Sequence, residues 1–172
     1  EARGWPVVVA AGARLHACGG FSDQRGSREN LSSVEAWSSA SRSWSAAPRM
    51  TEPRLRAAGA CVSGRLVVCG GEGAIGWLAS AECLSPRASA WQRLPDMNGP
   101  RFGHFAVPVA GRLFVGGGLK GRSPGSECEC FDPEADCWMP AADPPPTWCA
   151  DRSNQAYSVL RLPSASPRRS MP

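Results

Sequence analysis

Cys128, Cys130 and Cys137 lie within ten residues of one another and invite a thiolate zinc site. Structural zinc sites separate paired cysteines by two to four residues, and Cys128-x-Cys130 leaves one, with no second pair at a suitable spacing. Glu35, Glu82 and Glu129 could form a carboxylate cluster for general acid–base work. His16 and His104, the only imidazoles, are too few to complete a catalytic or metal constellation. The glycine pairs Gly19-Gly20, Gly70-Gly71 and Gly117-Gly118 lack the helix start that a phosphate loop needs, because no helical period follows them. These residues therefore predict no cofactor, no metal and no enzyme.

Their spacing points elsewhere. Trp44, Trp91 and Trp138 are 47 residues apart, and the three glutamates keep the same interval. Pro48 and Met50 recur 47 residues later as Pro95 and Met97. The glycine pairs, Arg3/Arg54/Arg101 and Leu15/Leu66/Leu113 all follow intervals of 51 and then 47. One four-residue insertion between Gly20 and Glu35 accounts for every offset, so the chain holds three tandem repeats. Aligning them assigns the cysteines: Cys130 matches Cys83 and Ala36, Cys128 matches Ala81 and Val34, and Cys137 matches Ala90 and Ser43. Small neutral residues at these positions mark the thiols as small hydrophobes. A glutamate present in every repeat is structural, bonding backbone at one place in its unit.

The elements that must position these residues are strands. Ala57–Val62, the turn Ser63-Gly64 and Leu66–Cys69 read as a hairpin closed by a glycine pair, and repeat three gives the same with Ala110-Gly111. A third strand carries the glutamate, and a fourth carries the tryptophan and ends at Pro and Met. Four short antiparallel strands per 47 residues make one propeller blade. The expected fold is all-β, a partial β-propeller of about three four-stranded antiparallel blades at about 3–50, 51–97 and 98–144. Residues 145–172 read as a Pro-rich linker and a basic, disordered tail, with one short strand near 156–160. Closing a ring takes at least four blades, so the expectation is half of a larger propeller with blades upstream of Glu1.

The pattern resembles the kelch repeat, most clearly in Arg101, Leu113–Gly118, Glu129–Pro133 and Trp138. That resemblance implies a protein-interaction module and places Arg3, Arg54 and Arg101 at the propeller mouth. There an arginine fork can hold the carboxylates of an acidic peptide; the other reading is that each braces its own blade. The loops between second and third strands add Arg25, Arg28, Trp77, Lys120 and Arg122 as partner-binding candidates. The resemblance further implies a substrate-recognition part of a BTB-kelch adaptor, reaching a cullin ubiquitin ligase through another domain, or an actin-associated scaffold. A galactose-oxidase-like copper enzyme is disfavoured, since its site needs two tyrosines and Tyr157 is the only one.

Charge and composition narrow the partners. The net charge of +4 comes from four arginines in residues 152–172; the rest carries 15 basic and 15 acidic side chains. A neutral body is a poor counterion-releasing surface, which argues against nucleic acid. No apolar run approaches the 18 or more residues of a membrane helix. Eight cysteines without a secretory signal favour free thiols in the cytoplasm or nucleus, with Cys149 as an exposed candidate for redox sensing.

Overall fold

The structure, a computed structural model, describes residues 2–24, 27–120, 123–125 and 127–141. Arg25, Arg122, Cys149 and the expected linker and tail lie outside them. The described regular structure is all strand. Blade one consists of β1 (Val7–Ala11), β2 (Arg14–Cys18), a side hairpin of β3 (Phe21–Gln24) and β4 (Ser27–Asn30), then β5 (Val34–Ser38) and β6 (Ser43–Ala47). Blade two is β7 (Ala58–Val62), β8 (Arg65–Cys69), β9 (Ala81–Leu84) and β10 (Gln92–Leu94). Blade three is β11 (Phe105–Val109), β12 (Arg112–Gly116), the short pair β13 (Leu119–Lys120) and β14 (Ser123–Pro124), then β15 (Cys128–Asp132) and β16 (Cys137–Ala141). Each blade is a four-stranded antiparallel sheet with chain neighbours paired, in the orders β1-β2-β5-β6, β7-β8-β9-β10 and β11-β12-β15-β16.

The segment between β2 and β5, expected as a loop, forms the β3–β4 hairpin instead. Its cross-strand pairs include Asp23 opposite Arg28, an opposite-charge pairing that supports a ladder with little apolar alternation. The hairpins within the blades follow their turn residues. Ser63-Gly64 and Ala110-Gly111 both have positive φ at each residue (49° and 77°, 49° and 78°), the type I′ geometry whose twist matches that of the strands it joins.

The apolar core lies between blades. Along β1, Val7 and Val9 are buried while Val8 and Ala10 are exposed. Val7, Val9, Cys18, Val34 and Met50 of blade one pack with Leu66, Val68, Leu84 and Trp91 of blade two. The same scheme repeats at the second joint, where Leu113, Val115 and Phe131 of blade three meet Ala60, Val62, Val67 and Cys83 of blade two. The innermost strands β1, β7 and β11 neighbour one another. The residues that lead into them therefore gather at one end of the arc.

Candidate functional site

Arg54 enters blade two just before β7 and turns inward. Its Nε donates to Glu82 Oε1 at 2.9 Å, Nη1 donates to the carbonyls of Gly70 and Ser80, and Nη2 donates to Ser80 Oγ and Glu52 Oε2. Those five bonds use every N–H a guanidinium has. Arg54 is 1% exposed and Glu82 is fully buried. Arg101 repeats the contact to Glu129 at 2.9 Å and is equally buried. Arg3 reaches Glu35 at 2.8 Å and the carbonyls of Gly19 and Ser33. The second carboxylate oxygen accepts backbone N–H groups where the chain enters the blade, from Thr51 to Glu82 and from Asn98 to Glu129.

This corrects the ligand-facing reading of Arg3, Arg54 and Arg101. Each arginine clamps the glutamate and glycine of its own blade, and Arg54 has no donor left for a carboxylate from outside. The glycine pairs belong to the same device. Gly70 gives its carbonyl to Arg54, while the Gly71 N–H reaches the Arg101 carbonyl of the next blade at 2.7 Å. Both glycines have positive φ (62° and 91°), and a Cβ on Gly70 would stand 2.7 Å from the Arg101 carbonyl oxygen. Gly19-Gly20 and Gly117-Gly118 share that backbone. Among the tryptophans, Trp91 Nε1 donates to the Pro48 carbonyl and Trp138 Nε1 to the Pro95 carbonyl, both at 2.8 Å, tying each blade to the one before it. Trp44, at the same repeat position, is 53% exposed.

Two residues beyond each arginine the chain does something different. Trp5, Arg56 and Gly103 occupy equivalent left-handed positions, with φ of 48°, 50° and 65°. The Gly103 N–H bonds the Arg56 carbonyl across the blades at 3.0 Å. The Arg56 guanidinium carbon lies 3.5 Å from the centre of the Trp5 ring and 5.2 Å from that of Phe102. Phe102 stacks on Trp77 with centroids 5.5 Å apart and planes within 7°. On the other side Trp5 meets Phe21 at 5.6 Å, and Arg28 lies 4.8 Å over Phe21. The result is a row running Arg28, Phe21, Trp5, Arg56, Phe102, Trp77 across all three blades at one end of the arc.

Of the loop candidates, this row gathers Arg28 and Trp77. Trp77 also lines, with Glu52, Pro53, Ile75 and Leu78, a cleft of about 340 Å³. Lys120 stands apart, ion-paired with Glu127 at 2.8 Å. Trp5, Arg56 and Phe102 were not among the sequence candidates. For Trp5 and Arg56 the signal was present in the alignment: the position two residues beyond an unvarying arginine holds Trp, Arg and Gly in turn.

A buried pair has the look of a nucleophile and base. Cys69 Sγ lies 3.5 Å from His104 Nε2. Burial holds the His104 imidazole down to about 3, with help from the Arg101 and Arg54 charges, and pushes the Cys69 thiol up to about 12. Both groups are thus neutral at pH 7, the reverse of the thiolate–imidazolium state that makes a cysteine reactive. Cys130 and Cys83 are buried at the position of buried Ala36, in keeping with their role as small hydrophobes.

A family model described as the Kelch motif matches residues 53–98 and 100–145, together more than half of the chain. Those spans cover blades two and three; the first repeat, with its four-residue insertion, folds to the same four-stranded order. No curated protein gives a significant match to the chain.

Proposed function

The chain belongs to the kelch-repeat family, and we propose that this protein-interaction module takes acidic segments of partner proteins along the aromatic–arginine row. The observation that carries the reading is Arg56, whose guanidinium lies against the Trp5 face without a carboxylate partner among the described residues. A planar cation held on aromatic faces keeps its edge N–H groups for bidentate bonding to a carboxylate. The backbone adds support. Glycine is the residue that a left-handed φ favours, and Trp5 and Arg56 are bulky residues held there against that preference. The reading is one of binding without turnover, since burial sets the Cys69–His104 pair in its inert protonation states.

The test uses a fluorescent peptide library rich in Asp and Glu. A charge-assisted bond is worth about 1.5–3 kcal/mol, so Arg56→Ala is expected to weaken binding by roughly tenfold or more. Trp5→Ala should act in the same direction, and Arg93→Ala, on the exposed outer strand, should have no effect. Equal affinity for all these variants would overturn the proposal. Within the same reading, family membership supports a role as the substrate-recognition part of a BTB-kelch adaptor. Recovery of a cullin with the protein from cells would test that role.

A further inference from the structure

Ile75, at the tip of the loop between β8 and β9, stands wholly in solvent at 102% exposure. The loop that carries it is nonetheless fixed. The Gly73 N–H bonds the Gly76 carbonyl at 2.7 Å, and Glu72 pairs with Trp77 across the turn. Glu72 also exchanges both of its backbone bonds with Leu55, at 2.8 and 2.9 Å. From blade one, Asn30 Nδ2 donates to the carbonyls of Glu72 and Gly73. An aliphatic side chain on so braced a turn buries nothing at home, and little backbone freedom is left to lose when a partner covers it.

The cleft of about 340 Å³ beside it has Ile75, Trp77, Leu78 and Pro53 as its large apolar walls and Glu52 as its one charged residue. That volume lies at the small end of ligand pockets and suits one large side chain. Charge decides which kind. The Glu52 carboxylate accepts from Ser80 Oγ at 2.6 Å and lies 3.4 Å from Arg54 and 3.5 Å from Arg93. Both cations have another carboxylate, Glu82 for Arg54 and Asp96 for Arg93. An acidic side chain in the cleft would meet a like charge with no spare cation to offset it, whereas a neutral apolar one meets four apolar walls. Trp77 joins the cleft to the aromatic–arginine row: Phe102 stacks on it, and Arg56 lies 5.2 Å from the Phe102 ring.

Resting on the acidic reading of that row, we propose that the bound segment carries a large apolar residue two positions from its acid, the carboxylate on Arg56 and the apolar side chain in the Ile75–Trp77 cleft. Residues i and i+2 of an extended segment project from one face about 7 Å apart, the reach needed to pass the single Phe102 ring. The partner is thus an alternating acidic–apolar motif, and a plain run of acids is the poorer ligand.

Fluorescence titration of the full 172-residue chain with synthetic peptides tests the proposal. The probes are Leu-Ser-Glu-Ser-Leu, which serves either chain direction, and Ala-Ser-Glu-Ser-Ala, each flanked by glycine and serine. Leucine should lower the Kd by roughly tenfold. Ile75→Ser alters a side chain that packs on nothing, so the fold is kept; it should cancel most of that gain and leave the alanine peptide's affinity unchanged. Ser-Leu-Glu-Leu-Ser turns the leucines to the opposite face and should forfeit the gain as well. Arg56→Ala should weaken both main probes by the same factor. Equal affinity for the leucine and alanine peptides, or an Ile75→Ser loss common to both, would overturn the cleft while a loss in Arg56→Ala kept the acidic row. A leucine gain cancelled by Ile75→Ser, with Arg56→Ala silent, would uphold the cleft and overturn the acidic reading.

Discussion

Arg54 and Arg56 are two residues apart and do opposite things. Arg54 is sealed inside its blade with five hydrogen bonds, all to its own blade or the segment that enters it. Arg56 stands on the rim against an aromatic ring contributed by the entry to blade one. The repeats tell them apart. Position 54 is arginine in all three units because every blade needs the same clamp, and position 56 changes from unit to unit while its left-handed backbone does not. In a repeat protein, constancy of residue type marks the scaffold. Variation on a fixed backbone marks the surface that can be specialised.

The largest effect should come from breaking the clamp. Arg54→Ala leaves the Glu82 carboxylate buried beside Thr51 without its cation, and removing one partner of a buried pair costs about 3–5 kcal/mol. Urea unfolding should show a loss of that size. Replacing Arg54 and Glu82 together by apolar residues should cost less than Arg54→Ala alone, because no unpaired charge remains.

A second test sharpens the contrast through pH. Burial keeps His104 neutral, its imidazole held down to about 3 beside Arg101 and Arg54. In the unfolded chain it titrates near 6.5, so the unfolded state takes up the proton first. Its contribution to stability is complete above that value and declines as the pH falls from 6.5 towards 3, by about 1.4 kcal/mol per unit. Unfolding measured at pH 7 and pH 5 should differ by roughly 2 kcal/mol from this group alone. His104→Ala, which installs the residue type found at Ala57, should remove that share of the pH dependence. An unchanged difference would place the titration elsewhere.

Much of this was legible in the sequence, and the misses have physical causes. The 47-residue spacing, the turn pairs and the repeated glutamates located the blades because each blade solves the same local problem with the same residues. Arg54 was ambiguous by nature: a guanidinium that braces a carboxylate and one that reads a ligand's carboxylate use the same fork. The β3–β4 hairpin was hidden because its pairing rests on polar and charged neighbours rather than an apolar alternation. Trp77 was seen, but its partner Phe102 belongs to the entry of the next blade. Trp5 and Arg56 share a site that exists only once the blades stand side by side.

The joint tryptophans set a smaller difference. Trp91→Phe keeps most of the ring and removes the bond to the Pro48 carbonyl, which should cost about 0.5–1.5 kcal/mol. Trp44→Phe removes no bond that the described chain makes. Thermal unfolding should separate the two variants by about that amount. Equal losses would mean that Trp44 is already seated in a joint within one chain.

The smallest effect on stability should come from the rim, where the loss of function should be greatest. Arg56→Gly installs the residue that blade three carries at Gly103 and relieves a left-handed backbone that costs a non-glycine residue about 1–2 kcal/mol. Against this stand the greater unfolded-state freedom of glycine, about 0.5–1 kcal/mol, and a cation–π contact of similar size at an exposed site. The contributions nearly cancel, and the unfolding free energy should stay within about 1 kcal/mol of the parent, against the several lost in Arg54→Ala. Binding of acidic peptides should nevertheless fall as it does for Arg56→Ala. Paired urea unfolding and fluorescence titration on the same preparation would check both halves. A large loss of stability would show that Arg56 is a second brace, and undiminished binding would show that the ligand docks elsewhere.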